Sequence, residues 1–235
     1  MNRRKFSTIW MGVVVLVGAM MIAPTAQAGP PLICWPFEIG SAGSLPWDSG
    51  ARGWNSPRSD YNLSNLTRDT LALLTPTTPV IVRMETLRRA TVYASKNRGV
   101  ADELLSTLMS RAREAEAKGR PSALAVFDAG YLAETYKQMR VMQSPQMAAP
   151  GLDGYRWVLR AIHLRGGDAE MEFAAALISA RETMRAQRDE HWRNAVAGAA
   201  DGSLLAKNLV THSELVGVRA KALAEVRAAA GSPKQ

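Results

Sequence analysis

The sequence predicts an all-α protein of antiparallel helical hairpins, arranged as an irregular solenoid or a bundle, behind an extended, aromatic-rich N-terminal arm. Three observations carry this prediction. From residue 62 onward, apolar side chains recur at helical spacing. Glycine, proline and capping residues punctuate the same region at helix-length intervals. Before residue 62, the 33 residues from Gly29 to Tyr61 hold five glycines, five prolines and three tryptophans but only five charges. With 47% hydrophobic and 21% charged residues, the chain has the balance of a globular protein, which excludes disorder and collagen-like structure.

Residues 1–28 read as a cleaved signal peptide. Arg3, Arg4 and Lys5 form a basic start, residues 9–23 are apolar, and Ala26-Gln27-Ala28 supplies the small-x-small pattern a signal peptidase requires. The apolar run falls short of the ~20 residues a spanning helix needs, and Pro24 interrupts it. Asn2-Arg3-Arg4-Lys5-Phe6 resembles a twin-arginine signal but lacks its leading Ser or Thr and its following Leu-Lys, which favours the ordinary secretory route. The expectation is an exported protein, periplasmic or extracellular, with no transmembrane segment after cleavage. Without Arg3, Arg4 and Lys5, the 29 basic residues become 26 against 21 acidic, and the net charge falls from +8 to +5. That excess does not argue for nucleic acid as a partner. Residues 83–98 are locally basic, with Arg83, Arg88, Arg89, Lys96 and Arg98 against Glu85, and are expected on the surface. Cys34 is the single cysteine. Ile33 before it does not suit lipidation, so a small buried apolar side chain is expected.

Residues 29–61 form the predicted arm. They lack a helical period, and their prolines interrupt a central strand. Trp35, Phe37, Trp47, Trp54 and Tyr61 carry too much apolar surface for a free tail, so the arm should lie against the body. Trp35, Trp47 and Trp54 are candidate binding rings, for a peptide or a glycan.

Residues 62–235 form the predicted helical domain. A short helix is expected over 65–74, ended by the Thr75-Pro76-Thr77-Thr78-Pro79 breaker. Thr78 and Pro79 then open a helix over 79–96, and Asn97-Arg98-Gly99 closes it. Leu105, Leu108, Met109 and Ala112 make one buried stripe in a helix over 100–118. A helix over 121–142 shows Leu124, Phe127, Tyr131, Thr135 and Met139 on its inner face, and residues 144–151 are a linker. Tyr155, Val158, Leu159 and Ile162 repeat the stripe, with Arg156, Arg160 and His163 opposite. Gly166-Gly167-Asp168 stops that helix and caps the next, which runs without a breaker to Gly198, about 30 residues or about 45 Å. Thr211 and Glu214 have capping-box spacing and predict a last helix through Leu215, Val218, Ala222 and Val226. A shift of 68 residues also superposes Ala101, Leu105, Met109, Ala112, Arg113 and Glu114 on Ala169, Phe173, Leu177, Ala180, Arg181 and Glu182, a faint internal repeat.

The run Arg160-Ala161-Ile162-His163-Leu164-Arg165-Gly166-Gly167-Asp168-Ala169-Glu170 resembles the helix-to-helix junction of tetratricopeptide-type repeats. The likeness covers about 40 residues; the helices are longer than a 34-residue unit allows, and glycines stand where proline is usual. It implies a helical-hairpin solenoid that binds a protein or peptide on a concave face.

Chemistry-bearing motifs are sparse. His163, His191 and His212 have no second histidine or cysteine at ligand spacing, so no metal site and no cofactor are expected. No nucleophile elbow or phosphate loop occurs. Glu38, Glu172 and Glu190 are the carboxylates left as general-acid candidates, and Asp189-Glu190-His191-Trp192 reads as a solvated patch beside a packed Trp192. The leading reading is a non-catalytic protein- or peptide-binding scaffold of the cell envelope, with Trp35, Trp47, Trp54, Tyr131, Arg156, Arg160 and His163 as contacts. Its groove is expected between 121–142 and 155–186. The rivals are an envelope hydrolase with a single catalytic carboxylate and glycan binding through the arm.

Overall fold

A computed structural model describes residues 29–48, 53–142, 147 and 151–231. Residues 1–28, read from sequence as a signal peptide, lie outside the described residues. Among those described, the protein is all-α, with ten helices, no strand and one isolated antiparallel bridge between Trp47 and Pro57. No helix among them is long and apolar enough to cross a membrane.

Local chemistry accounts for most helix ends. Helix α1, Pro31–Cys34, is a single turn that begins on proline, whose fixed φ suits the first helical position; the N-terminal segment is therefore not wholly non-helical. Asn62 accepts a hydrogen bond from Ser64 N–H and sets the 3-10 turn that leads into α2, Leu66–Leu73. Pro79 precedes α3, Val80–Ala94. Asn97 caps α4, Arg98–Ala117, through Val100 N–H, and Gly119 leaves it with φ +68°. Helix α5 spans Ala123–Met142. Asp153 caps α6, Gly154–Leu164, and Asp168 caps α7, Ala169–Ile178, by accepting from Glu170 and Met171 N–H. Gly166 and Gly167 take φ +69° and +95° in the turn between them, conformations that favour glycine.

Two expectations fail at the C-terminal end. The long helix to Gly198 is two helices, α7 and α8, Arg185–Ala197, separated by Ser179 and a 3-10 turn at Glu182–Met184. Ser179 is buried, and its hydroxyl bonds back to the carbonyls of Ala175 and Ala176, at 2.7 and 3.2 Å, where the helix stops. Thr211 opens no helix either. It is the last residue of α9, Leu204–Thr211, which Ser203 caps; α10 begins only at Leu223 and runs to Gly231.

The core lies around α3 and α5. Every residue of α3 except Arg89 is buried, and α5 is buried without a break from Val126 to Tyr136, not only along one face. Helix α6 packs against α5 at Gly130 and Gly154. A Cβ added to Gly130 would meet Trp157 Cβ at 2.7 Å and the Gly154 carbonyl oxygen at 2.8 Å. Nothing larger than hydrogen fits there, so the two helices are in direct contact at this point.

Candidate functional site

The centre of the molecule is charged. Arg83, Glu85 and Arg88 of α3, read from sequence as surface, are each 1% exposed or less. Burying unpaired charge is costly, so each must be compensated. Glu85 accepts from Arg88 twice, at 2.7 and 2.8 Å, and from Arg89 at 2.7 Å. Burial pushes the Glu85 carboxyl up, but the hydrogen bonds and charges of Arg88 and Arg89 outweigh it and hold it below its ordinary value. Arg83 donates to Asp128 at 2.6 Å; burial raises Asp128 to about 6 even so.

These charges fasten the N-terminal segment. Glu85 accepts from Phe37 N–H at 3.1 Å, Arg88 donates to the carbonyls of Ile33 and Trp54, and Arg89 donates to that of Leu45. Farther out, Asn208 of α9 accepts from Glu38 N–H at 2.9 Å and donates to its carbonyl at 2.8 Å. Leu32, Ile33, Phe37 and Leu45 are buried. Arg88 and Arg89 are thus backbone clamps, a role invisible to local charge counting because the covering residues lie 34 to 55 positions away; Lys96 and Arg98, at the end of the basic stretch, are exposed as expected.

Where this segment crosses the helices it leaves a cleft of about 550 Å³, lined by Gly29, Cys34, Trp35, Pro36, Trp54, Met142, Thr211 and His212. Trp35 and Trp54 are half-buried. Trp47 is elsewhere, against the guanidinium groups of Arg88 and Arg89 at 5.1 and 5.4 Å and edge-on to Tyr93. The three tryptophans do not form one platform. His212, 1% exposed, stacks on Phe37 with ring centroids 5.2 Å apart. Its Nδ1 lies 2.9 Å from the Asn208 carbonyl, which can only accept, so Nδ1 carries the proton and Nε2 the lone pair. Burial pulls His212 down to about 4, against weaker upward pulls from the backbone of Asn208 and Trp35 and from Glu85.

The other sequence-predicted contacts are not at this cleft. Tyr131 is fully buried, stacked on Phe127 at 5.5 Å, and cannot touch a partner. Its place on a core helix enclosed on all sides is what removes it. Arg156, Arg160 and His163 are exposed on α6, where Arg160 pairs with Glu116 of α4. Glu38 and Glu190 are exposed, whereas Glu172 is 13% exposed and hydrogen-bonded.

Glu172 belongs to a second constellation that the sequence did not reveal. His191 Nδ1 lies 2.6 Å from Glu172 Oε2, and His191 Nε2 lies 2.8 Å from the Tyr155 hydroxyl. The carboxylate fixes the proton on Nδ1, so Tyr155 donates to Nε2, the order of a hydroxyl–imidazole–carboxylate relay. Burial, and after it the charges of Glu172, Glu190 and Asp153, raise the Tyr155 phenol, which opposes its ionisation. The members are 17 to 36 residues apart on α6, α7 and α8, so no local spacing announces them. The cluster read as a solvated patch is instead tied down at His191, and Trp192 is packed as expected, 3% exposed.

Comparison with models of protein families, with curated proteins and with solved structures finds no match for the chain.

Proposed function

We propose that the chain is an exported, non-catalytic binding protein of the cell envelope, built of helical hairpins, whose aromatic arm and helical body together hold an apolar segment of a protein or peptide partner. The single observation behind this reading is the cleft of Trp35 and Trp54. Both rings are partly open, and the backbone beside each is held by Arg88, through the carbonyls of Ile33 and Trp54. Rings presented on a fixed backbone lose little entropy on binding. The basic start, apolar run and Ala26-Gln27-Ala28 support export, and the Gly166-Gly167-Asp168 turn between α6 and α7 supports the hairpin reading.

Random-peptide display on the purified protein tests it. Selected peptides should share an aromatic or branched apolar anchor and change tryptophan emission on binding. Trp54→Ala, with unchanged circular dichroism, should weaken them by about 30-fold, as for a buried interface anchor. Peptides that bind Trp54→Ala as well as the parent, or no selected peptide at all, sink the reading.

The Tyr155–His191–Glu172 relay favours a second reading, an envelope hydrolase, with three groups in place of a single carboxylate. That reading requires turnover of cell-wall fragments that disappears in both Glu172→Gln and Tyr155→Phe.

A further inference from the structure

The Trp35–Trp54 cleft is lined by a thiol, a thioether and an imidazole from three distant parts of the chain. Cys34 ends α1, Met142 ends α5, and His212 follows α9. Cys34 Sγ lies 3.6 Å from Met142 Sδ. Two sulfurs each bonded to one ion at about 2.3 Å stand about 3.8 Å apart at a tetrahedral angle, so both reach a common ion with little movement. His212 lines the same cleft, and its Nε2 is buried without a hydrogen-bond partner. The bond from its Nδ1–H to the Asn208 carbonyl is the kind that orients a ligating imidazole and leaves the other nitrogen's lone pair for a metal.

We propose that Cys34, Met142 and His212 form a site for a soft monovalent metal ion of the Cu(I) or Ag(I) type, held by one thiolate, one thioether and one imidazole nitrogen. The donor set decides the class of ion. Thiolate and thioether select soft ions, and no carboxylate lines the cleft for a hard one. Charge decides the valence. One thiolate neutralises a monovalent ion, whereas a divalent ion would leave an extra positive charge close to Arg88, whose guanidinium donates to the carbonyl of Ile33 beside Cys34. Binding breaks the Cys34 S–H bond, forms a sulfur–metal bond and releases one proton to solvent, with no change of oxidation state. Among the described residues no cluster of three His, Cys, Asp or Glu could hold a metal; this site differs in taking a methionine as a ligand. It goes beyond the peptide reading and does not depend on it.

The test is anaerobic titration of the purified, reduced protein with Cu(I) in competition with bicinchoninate. A single ion should bind per chain, with near-ultraviolet thiolate-to-metal absorption and quenching of tryptophan emission. Cys34→Ser should abolish the absorption, and Met142→Leu, which keeps the volume of a half-buried side chain, should weaken binding by about 10-fold or more. His212→Gln should do the same, and is read only if its circular dichroism matches the parent; otherwise Met142→Leu decides. Equal affinity in Met142→Leu means an adventitious ion on a lone thiol only and overturns the proposal, as does failure to bind Cu(I) or displacement of Cu(I) by equimolar Zn(II). Cu(I) binding with no peptide selected refutes only the peptide reading, and the converse refutes only this one.

Discussion

Acid should unfold this protein through His212. Its folded value of about 4 lies below its ordinary 6.5, so between those values the unfolded chain binds the proton more readily and stability falls as pH falls. The gap corresponds to about 3 kcal/mol of stability that is fully present above pH 6.5 and gone below about pH 4. At pH 5 about 2 kcal/mol of it is already lost. The cause is structural. The ring lies against Phe37, Phe173 and Trp35, and its Nε2 makes no hydrogen bond; the backbone of Trp35 pulls the ring up by less than burial pulls it down. Asp128 works in the opposite sense, since its raised value makes protonation on acidification stabilising. Comparison with His212→Gln, which keeps a donor for the Asn208 carbonyl, cancels that contribution. Urea unfolding at pH 7.5 and pH 5.0 should show the parent losing about 2 kcal/mol more than the variant. Parallel losses in the two proteins would refute the assignment of His212 as a buried neutral imidazole.

Two further perturbations probe the core. Gly154→Ala should destabilise by about 3 kcal/mol or more, because the new methyl collides with the Gly130 carbonyl and with the Glu134 side chain, and backbone cannot rotate away; a urea midpoint within error of the parent would show that α5 and α6 are not in contact. Glu85→Ala should cost about 3–5 kcal/mol by leaving Arg88 buried without its carboxylate, while Glu85→Gln, which retains an acceptor for Phe37 N–H, should cost less. Equal losses in the two variants would show that the Phe37 contact contributes nothing.

Helix caps were legible in part. Asp168 announces α7 because a side-chain oxygen acts on amides two or three residues away, within reach of sequence inspection; Asn97, read as the stop of α3, is also the cap of α4, and Thr78, read as the cap of α3, makes no cap hydrogen bond there. The stop at Ser179 was hidden, since serine in an alanine-rich helix carries no breaking signal and its effect depends on burial. The Thr211 and Glu214 spacing misled for a related reason. Thr211 spends its hydroxyl on the Asn208 carbonyl at 3.1 Å, and Gly202 before Ser203 marked the true start. The cleft was half legible: Trp35 and Trp54 were singled out for their apolar area, but Met142, Thr211 and His212 come from 88 to 158 positions beyond Trp54. Arg83 and Arg88 show the limit most clearly, because whether a cation is solvent-facing or central depends on which other segment covers it.

The hydrogen bonds between Glu38 and Asn208 span 170 residues, and Leu32 reaches Gln138 across 106. Synthesis therefore makes the N-terminal segment and its α3 anchors early and its α9 anchor late. Until α9 has emerged, Phe37 has no His212 to stack on and Glu38 no Asn208 to bind. Closure of such long loops is slow, so this part of the N-terminal segment stays unanchored until α9 and His212 have been made. A protein arranged in this way completes its fold only after residues 204–212 have emerged.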